Sequence, residues 1–349
     1  MVGIALLTLV PGELGGSESS TRALLGALAR AGTLPYRVYL PPAAPGAAEG
    51  LPSEVLTSYR RARTVPGRLA AMSLAAARPG PIRRAFTAAT LVHYPLTIRI
   101  PPLQVPSVVT IHDLQHLDLP ALFSRAERAF RALAYHRSAR SAAIVVCPSA
   151  FVAGRAVGLL GLDPGAVRVI HHGIDHDRFR PGAGPREEFV LYPARRWPHK
   201  NHLRLFEAFA RLRRTRPGLR LVLTGAGRWD TLPAGVEARG VVSGEELVAL
   251  YRTASALVFP SLYEGFGQPP LEAMACGCPV ACSNAASLPE VCGDAARLFA
   301  PEEAGAIAAA VEEVLADPAP WTARGLARAA SFTWERSASA HEAVYRELL

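Results

Sequence analysis

The amino-acid sequence predicts two parallel α/β domains in tandem. Three observations predict it. The chain has 349 residues, more than one typical core accommodates. Short apolar runs alternate with helical patterns through glycine-bearing turns. A stretch rich in Pro, Gly and charge, residues 178–188, interrupts the series near its middle and reads as a linker.

The elements follow in order. Residues 2–9 are an apolar run ending in the loop 11–16, which carries Gly15 and Gly16, and a helical pattern covers 17–31. Residues 41–90 are rich in Pro, Ala and Arg without a clear period, and predict no element. The β-branched run 108–111 ends at His112 and Asp113, and residues 144–146 lead to Ser149, a side chain suited to capping the helix beyond it. Residues 167–170 lead into the turn His171-His172-Gly173-Ile174-Asp175. Past the linker, strands are expected at 189–192, 219–224 and 256–260, and helices near 201–214, 245–253 and 269–276. The tail from 334 to 349 reads as a helix. These breaks set the domains at 1–180 and 181–333.

Composition narrows the class. Half of the residues are hydrophobic and 19% are charged, which describes a globular chain. The longest apolar stretches are strand-length, well short of the roughly 20 residues that span a bilayer. The opening MVGIALLTLV has no basic lead or cleavage site and reads as a first core strand. The five cysteines, an odd count without a secretion signal, predict reduced thiols and a cytoplasmic protein. Cys276-Gly277-Cys278 lacks zinc-site spacing and a second pair, so packing at a helix end is the preferred reading over a metal site.

The net charge of +9 raises nucleic acid as a partner. Against it, the arginines are scattered and no aromatic-interleaved basic motif appears, so none is expected. Seven arginines do concentrate over residues 60–84: Arg60, Arg61, Arg63, Arg68, Arg78, Arg83 and Arg84. They fit either a solvated loop or contact with an acidic membrane surface. Of the 38 basic residues, Lys200 alone is lysine. A GC-rich genome drifts lysine codons toward arginine, so this one survives either by chance or because a compact ammonium is needed.

The chemistry-bearing motifs lie mostly in the second half. Ser261-Leu-Tyr-Glu264-Gly265-Phe266-Gly267-Gln268-Pro-Pro-Leu-Glu272 follows an apolar strand and feeds a helix. Such a glycine loop at a helix N-terminus suits a phosphate, because backbone N–H groups approach closely and the dipole is favourable. Taken singly, Glu264 reads as a solvated loop carboxylate and Glu272 as a first-turn helix acid. With the glycines between them, they read as a ligand site. Tyr192-Pro-Ala-Arg195-Arg196-Trp-Pro-His199-Lys200-Asn201 also follows a strand and opens a helix, placing Arg195 and Lys200 where α/β sheets bind ligands. Two cations facing a glycine loop neutralise a diphosphate. Gly225 and Gly227 form a third, weaker loop of the same kind.

Together these residues resemble the family 4 retaining glycosyltransferases. Glu264 and Glu272 match that family's Glu-x7-Glu motif, Arg195 and Lys200 its basic pair, and WPHKNH one polysaccharide and natural-product subgroup. The likeness extends to Gly15 and Gly16, to TIHDL around His112, and to the SFTWERSA tail. The resemblance implies a GT-B fold: two Rossmann-like domains facing each other across a cleft, the C-terminal helix returning to the N-terminal, acceptor-binding domain. It implies that Arg195 and Lys200 bind the diphosphate, that Glu272 holds the ribose, and that Glu264 with Gly265, Phe266, Gly267 and Gln268 contacts the donor sugar and phosphates. Gln268 replaces a more usual aliphatic residue, so its backbone carries over rather than its side chain. Gly225 and the main chain near Val241 and Val242 complete the donor site, the latter at the base. His112 is assigned to the reacting centre and Gly15 and Gly16 to the diphosphate. On its own, a strand-end histidine beside an aspartate is equally a satisfied structural pair.

The expected activity is transfer of a hexose-type sugar, with retention, from a GDP-, UDP- or dTDP-sugar to a hydroxyl of a glycan, lipid-linked sugar or small molecule. No cofactor or metal is expected, since no D-x-D carboxylate pair is read and Arg195 and Lys200 can do a metal's electrostatic work. A phosphorylase or nucleotide-sugar epimerase of the same fold is the enzyme alternative. A pyridoxal-dependent phosphorylase needs a Schiff-base lysine, and the one lysine is already assigned.

Overall fold

The computed structural model describes residues 1–62 and 64–349. β1 (Val2–Ala5) is buried along its whole length, as a central strand covered on both faces must be. Six strands join it: β2 (Tyr36–Leu40), β3 (Ser53–Val55), β4 (Leu91–Tyr94), β5 (Ser107–Thr110), β6 (Ile144–Cys147) and β7 (Val167–Val169). All pairings are parallel, in the order β3-β2-β1-β4-β5-β6-β7. A second parallel sheet is built from β8 (Glu187–Pro193), β9 (Arg220–Thr224), β10 (Val236–Ala238), β11 (Ala254–Phe259), β12 (Val280–Ser283) and β13 (Arg297–Phe299). Its order is β10-β9-β8-β11-β12-β13. Both sheets are doubly wound, and the winding reverses between β1 and β4 and between β8 and β11.

The chain divides into two compact units, Met1–Gly173 with Trp334–Leu349, and Ile174–Thr333. Residues 174–180, grouped with the first domain by sequence, belong to the second. The Ile174 N–H donates to the Phe332 carbonyl at 3.0 Å, and Phe179 is buried in the second core. Glu187 and Glu188, read as the end of the linker, open β8 instead.

The helix Trp334–Leu348 packs in the first unit, where Trp334, Ala338, Val344 and Tyr345 join a core with Ile4, Leu25 and Leu28. Glu342 ties it down. Its carboxylate accepts from Tyr36 Oη at 2.5 Å, the Thr33 N–H at 2.6 Å, Thr33 Oγ1 at 2.9 Å and the Leu34 N–H at 3.1 Å.

Ser149 caps the helix Ala150–Leu160 as its type predicts, accepting from the Val152 N–H at 3.2 Å. The segment 41–90, which predicted no element, holds β3 and the helices Val65–Ala77 and Gly80–Ala85. Its alanine-rich composition hides the helical period. β10 and β13, three residues each, are too short for periodicity to reveal. All five cysteines are free and buried, and Cys276 and Cys278 pack in the second unit's core. Among the described residues, no helix is long and apolar enough to cross a membrane.

Candidate functional site

β8 delivers the chain to Arg195 and to the short turn Pro198–Lys200, from which the helix His202–Thr215 departs. Asn201 takes the corner at φ 60°, a left-handed conformation that asparagine tolerates better than most residues. Its side-chain amide donates to the carbonyls of Pro260 at 3.1 Å and Pro301 at 2.7 Å. The buried Tyr192 hydroxyl donates to the Lys200 carbonyl at 2.6 Å, and the Leu262 N–H donates to the His199 carbonyl at 2.8 Å. These bonds tie the turn after β8 to the turn after β11. They bring the Lys200 ammonium to 2.5 Å from Glu264 Oε1, with each side chain 14% exposed. Desolvation offsets much of the Coulomb gain of such a pair, so stability alone is a poor reason for it.

Glycine is required where the loops meet. Gly225 has φ 111°, and a Cβ there would lie 2.8 Å from the Ala194 carbonyl carbon and oxygen, so the turn after β9 sits directly on the strand end that carries Arg195. Gly267 has φ 97° and would bring a Cβ within 2.5 Å of Leu288 Cδ2. It caps the helix Gln268–Ala275. Pro269 and Pro270 stand in its first turn and lack N–H groups, so two of the donors that a helix start can offer are absent. Phe266 is buried and meets Phe332 edge-on at 5.9 Å.

Glu272 lies half-buried on the same helix, accepting from the Tyr251 hydroxyl at 2.9 Å. Burial raises its carboxyl above the usual carboxylate range, against the pull of Tyr251 and of the Arg178 charge. Arg178 also borders a concavity of about 770 Å³ with Ser243, Gly244, Glu245, Val248 and Arg252, immediately after Val242 in the chain. Val242 is half-buried, and Val241 is 77% exposed. Sequence reasoning missed Tyr251 and Arg178. Neither stands in a motif, and only the packing of the fold brings them to Glu272.

Thus Arg195, Lys200, Gly225, Glu264, Gly265, Phe266, Gly267 and Gln268 gather at the carboxyl ends of β8, β9 and β11, at the reversal of the second sheet's winding. Gly15, Gly16 and His112 lie in the first unit, after β1 and β5. Gly15 caps the helix Gly16–Ala31 at φ 55°, whereas a Cβ at Gly16 would meet nothing within 4 Å. His112 Nε2 lies 2.8 Å from the Pro95 carbonyl, which fixes the proton on Nε2 and leaves Nδ1 as the acceptor. Burial lowers its pKa below the usual histidine value, with the Pro95 hydrogen bond and Asp113 opposing, so the ring is neutral near pH 7. Its ring lies 5.9 Å from that of His172, across a chamber of about 20 Å³ that also touches Thr110 and His341. His93 is a satisfied core histidine, bonded to Tyr345 Oη and Thr110 Oγ1 at 2.8 Å each.

The reading that the chain holds no D-x-D carboxylate pair is wrong. Asp175-His176-Asp177 has the D-x-D spacing of many metal-binding pairs. Its first carboxylate accepts from the N–H groups of Asp177 and Arg178 at 3.2 Å each, capping its own turn. Among the described residues, no three His, Cys, Asp or Glu side chains group as metal ligands.

The Glycosyltransferase Family 4 model matches residues 14–178, and the Glycosyl transferases group 1 model matches residues 173–330. O-antigen chain mannosyltransferase B of Escherichia coli is 41% identical over 163 residues, 42% of this chain and 42% of its own. A glycogen synthase of Mycobacterium tuberculosis is 33% identical over 279 residues, 73% of this chain and 66% of its own. The chain thus spans less than two thirds of the length of these curated relatives. Anabaena HepE, solved in complex with UDP and glucose, matches with a TM-score of 0.73 at 17% identity, covering 99% of both chains. The fold is GT-B, and with matches running from residue 14 to residue 330 the chain belongs to glycosyltransferase family 4.

Proposed function

We propose that the chain transfers a hexose-type sugar from a nucleoside diphosphate sugar to an acceptor hydroxyl, with retention. The observation that carries it is the Lys200 ammonium held against Glu264 at the winding reversal, with Arg195 on the same turn after β8 and Glu264 opening the Gly265–Gly267 loop. A leaving diphosphate gains negative charge as the glycosidic bond breaks. Fixed cations and amides aimed at that charge stabilise the transition state more than the ground state. Glu272, one turn into its helix, is suited to accept from the ribose hydroxyls. His112 is assigned to the donor sugar as a neutral ring. The two carboxylates of the motif are engaged, Glu264 by Lys200 and Glu272 by the Tyr251 hydroxyl, and neither is assigned to form a glycosyl–enzyme bond. Retention then calls for attack on the face that the diphosphate leaves, with a diphosphate oxygen taking the acceptor proton.

The nucleotide is a GDP, UDP or dTDP sugar, and mannose, the sugar in the name of the Escherichia coli relative, is the first to test. A thermal-shift screen of UDP, GDP, dTDP and ADP, followed by product analysis for anomeric configuration, tests the assignment. Ligand at about 100 times its dissociation constant adds roughly 2.7 kcal/mol. Folded protein that answers none of the four would sink it.

A separate observation favours membrane contact at an anionic cytoplasmic face by residues 60–84. The helix Val65–Ala77 exposes Leu69 and Leu74, and Arg60, Arg61, Arg78, Arg83 and Arg84 are exposed around it. Arg68, counted in the same cluster by sequence, is half-buried and departs from that reading, and Arg63 lies outside the described residues. Each cation near such a surface contributes about 1 kcal/mol. Sedimentation with anionic vesicles, but not neutral ones, is the expected result, and equal partitioning onto both would dispose of the idea.

A further inference from the structure

Pro269 and Pro270 remove two of the N–H groups that the helix Gln268–Ala275 would otherwise turn toward a phosphate. An amide cradle at this site therefore draws chiefly on the loop before the helix, and a loop holds its peptide planes only if something pins them. A serine outside every motif does so. Ser287 is 0% exposed, and its Oγ lies 2.9 Å from the carbonyl oxygens of both Glu264 and Phe266. Its single hydroxyl proton is shared between two acceptors at opposite ends of one short loop.

The direction of those carbonyls has a geometric consequence. In a trans peptide the C=O and the following N–H point in opposite directions. A Glu264 carbonyl drawn toward Ser287 turns the Gly265 N–H away from it. The Phe266 carbonyl does the same for the Gly267 N–H. One buried hydroxyl thus aims two backbone donors to the side opposite itself, and successive N–H groups so arranged make an anion-binding concavity.

The segment carrying Ser287 is itself under constraint. Ala286 stands at φ 54°, a left-handed conformation unusual for alanine, and such strain persists only where the surroundings over-determine it. Immediately after Ser287, the Leu288 side chain fills the space that a Cβ on Gly267 would need. The strained turn and the side chains after it close on the same loop from beneath.

We infer that Ser287 is a positioning residue that orients the Gly265 and Gly267 amides toward the distal phosphate of the donor. The inference rests on the proposed donor site and adds to it a part that no motif contains. The distal phosphate then feels the loop, whereas a nucleoside monophosphate, which lacks that group, does not.

The test compares UDP with UMP, and GDP with GMP, by calorimetry on the full chain. In Ser287→Ala the advantage of diphosphate over monophosphate is expected to shrink about tenfold, the scale of a lost charge-assisted contact, with monophosphate affinity unchanged. Ser255→Ala, which removes a hydroxyl bonded to the Glu187 carbonyl, serves as the control and keeps the full ratio. A Ser287→Ala protein that weakens both nucleotides equally, or neither, overturns the inference. If Ser287→Ala fails to fold, Ser287→Cys keeps the volume with a poorer donor, and a wild-type ratio there overturns it as well. Lys200→Ala separates the two levels. If it leaves diphosphate binding intact, the donor site itself is wrong and the inference falls with it. If it weakens binding while Ser287→Ala does not change the ratio, only the inference fails.

Discussion

Lys200 is the one lysine among 38 basic residues, and its setting argues against arginine in its place. Its ammonium sits 2.5 Å from Glu264 and 5.6 Å from the Phe259 ring centre, in a space with little solvent. A planar guanidinium presents its donors in a fixed fork and is larger. Lys200→Arg is therefore expected to lower kcat/KM by about 10- to 100-fold, read from initial rates at varied donor. Near-normal turnover would refer the lone lysine back to chance. The two glutamates should fail differently. On the proposed function Glu272 holds the ribose, whose hydroxyls are the same in ground and transition states, so Glu272→Ala is expected to raise donor KM and spare kcat. Glu264 touches the Lys200 ammonium, which on the proposed function meets the leaving group, so Glu264→Ala is expected to lower kcat. Equal loss of donor affinity alone in both variants would remove Glu264 from the catalytic residues.

At the scale of the element, the helix Trp334–Leu348 hangs on one carboxylate. Burial pushes the Glu342 carboxyl upward, but the hydrogen bonds from Tyr36, Thr33 and Leu34 outweigh it and hold the group down at about 2, against an ordinary 4.5. A depressed carboxyl adds stability that is full above the unfolded value and fades as pH falls from about 4.5 toward about 2. The difference amounts to about 3 kcal/mol at neutral pH. Glu342→Gln should lose stability on that scale at pH 7 in denaturant unfolding, and the gap to wild type should narrow as pH is lowered through that window. A gap independent of pH would mean that packing, not charge, anchors the helix. This anchor was invisible in the sequence. Glu342 is a lone acid in a helical pattern, and its partners lie more than 300 residues away.

The same distinction runs through the whole molecule. Arg195, Lys200, Glu264, Gly267 and Glu272 were legible because each stands in a short segment whose order is strand, turn, helix. The alternation of such segments likewise carried the fold class. Tyr251, Arg178 and Ser287 were not legible. Ser287 is 23 residues from Glu264 and reaches it only because β12 lies beside β11. The helix Ala304–Ala316 and the strands β10 and β13 escaped for a local reason, since alanine and three-residue strands carry no clear period. The linker reading failed at both ends because Pro, Gly and charge mark an exposed path, and an exposed path can still start and finish inside a core.

That path ends where it begins. Ile174 opens the second unit and Thr333 closes it, and the two sit side by side as a parallel bridge, with the Ile174 N–H on the Phe332 carbonyl. A segment whose two ends touch is a graftable cassette. Residues 174–333 can be excised by two cuts at one place and rejoined through a short bridge, without stretching either flank. The isolated cassette should fold with its own core and retain nucleotide affinity, as hydrogen exchange and calorimetry would record; a cassette that stays unfolded would show the bridge alone to be insufficient. Exchanged between relatives, such an insert is expected to carry donor preference from one chain to another, on the proposed reading that the donor binds within it.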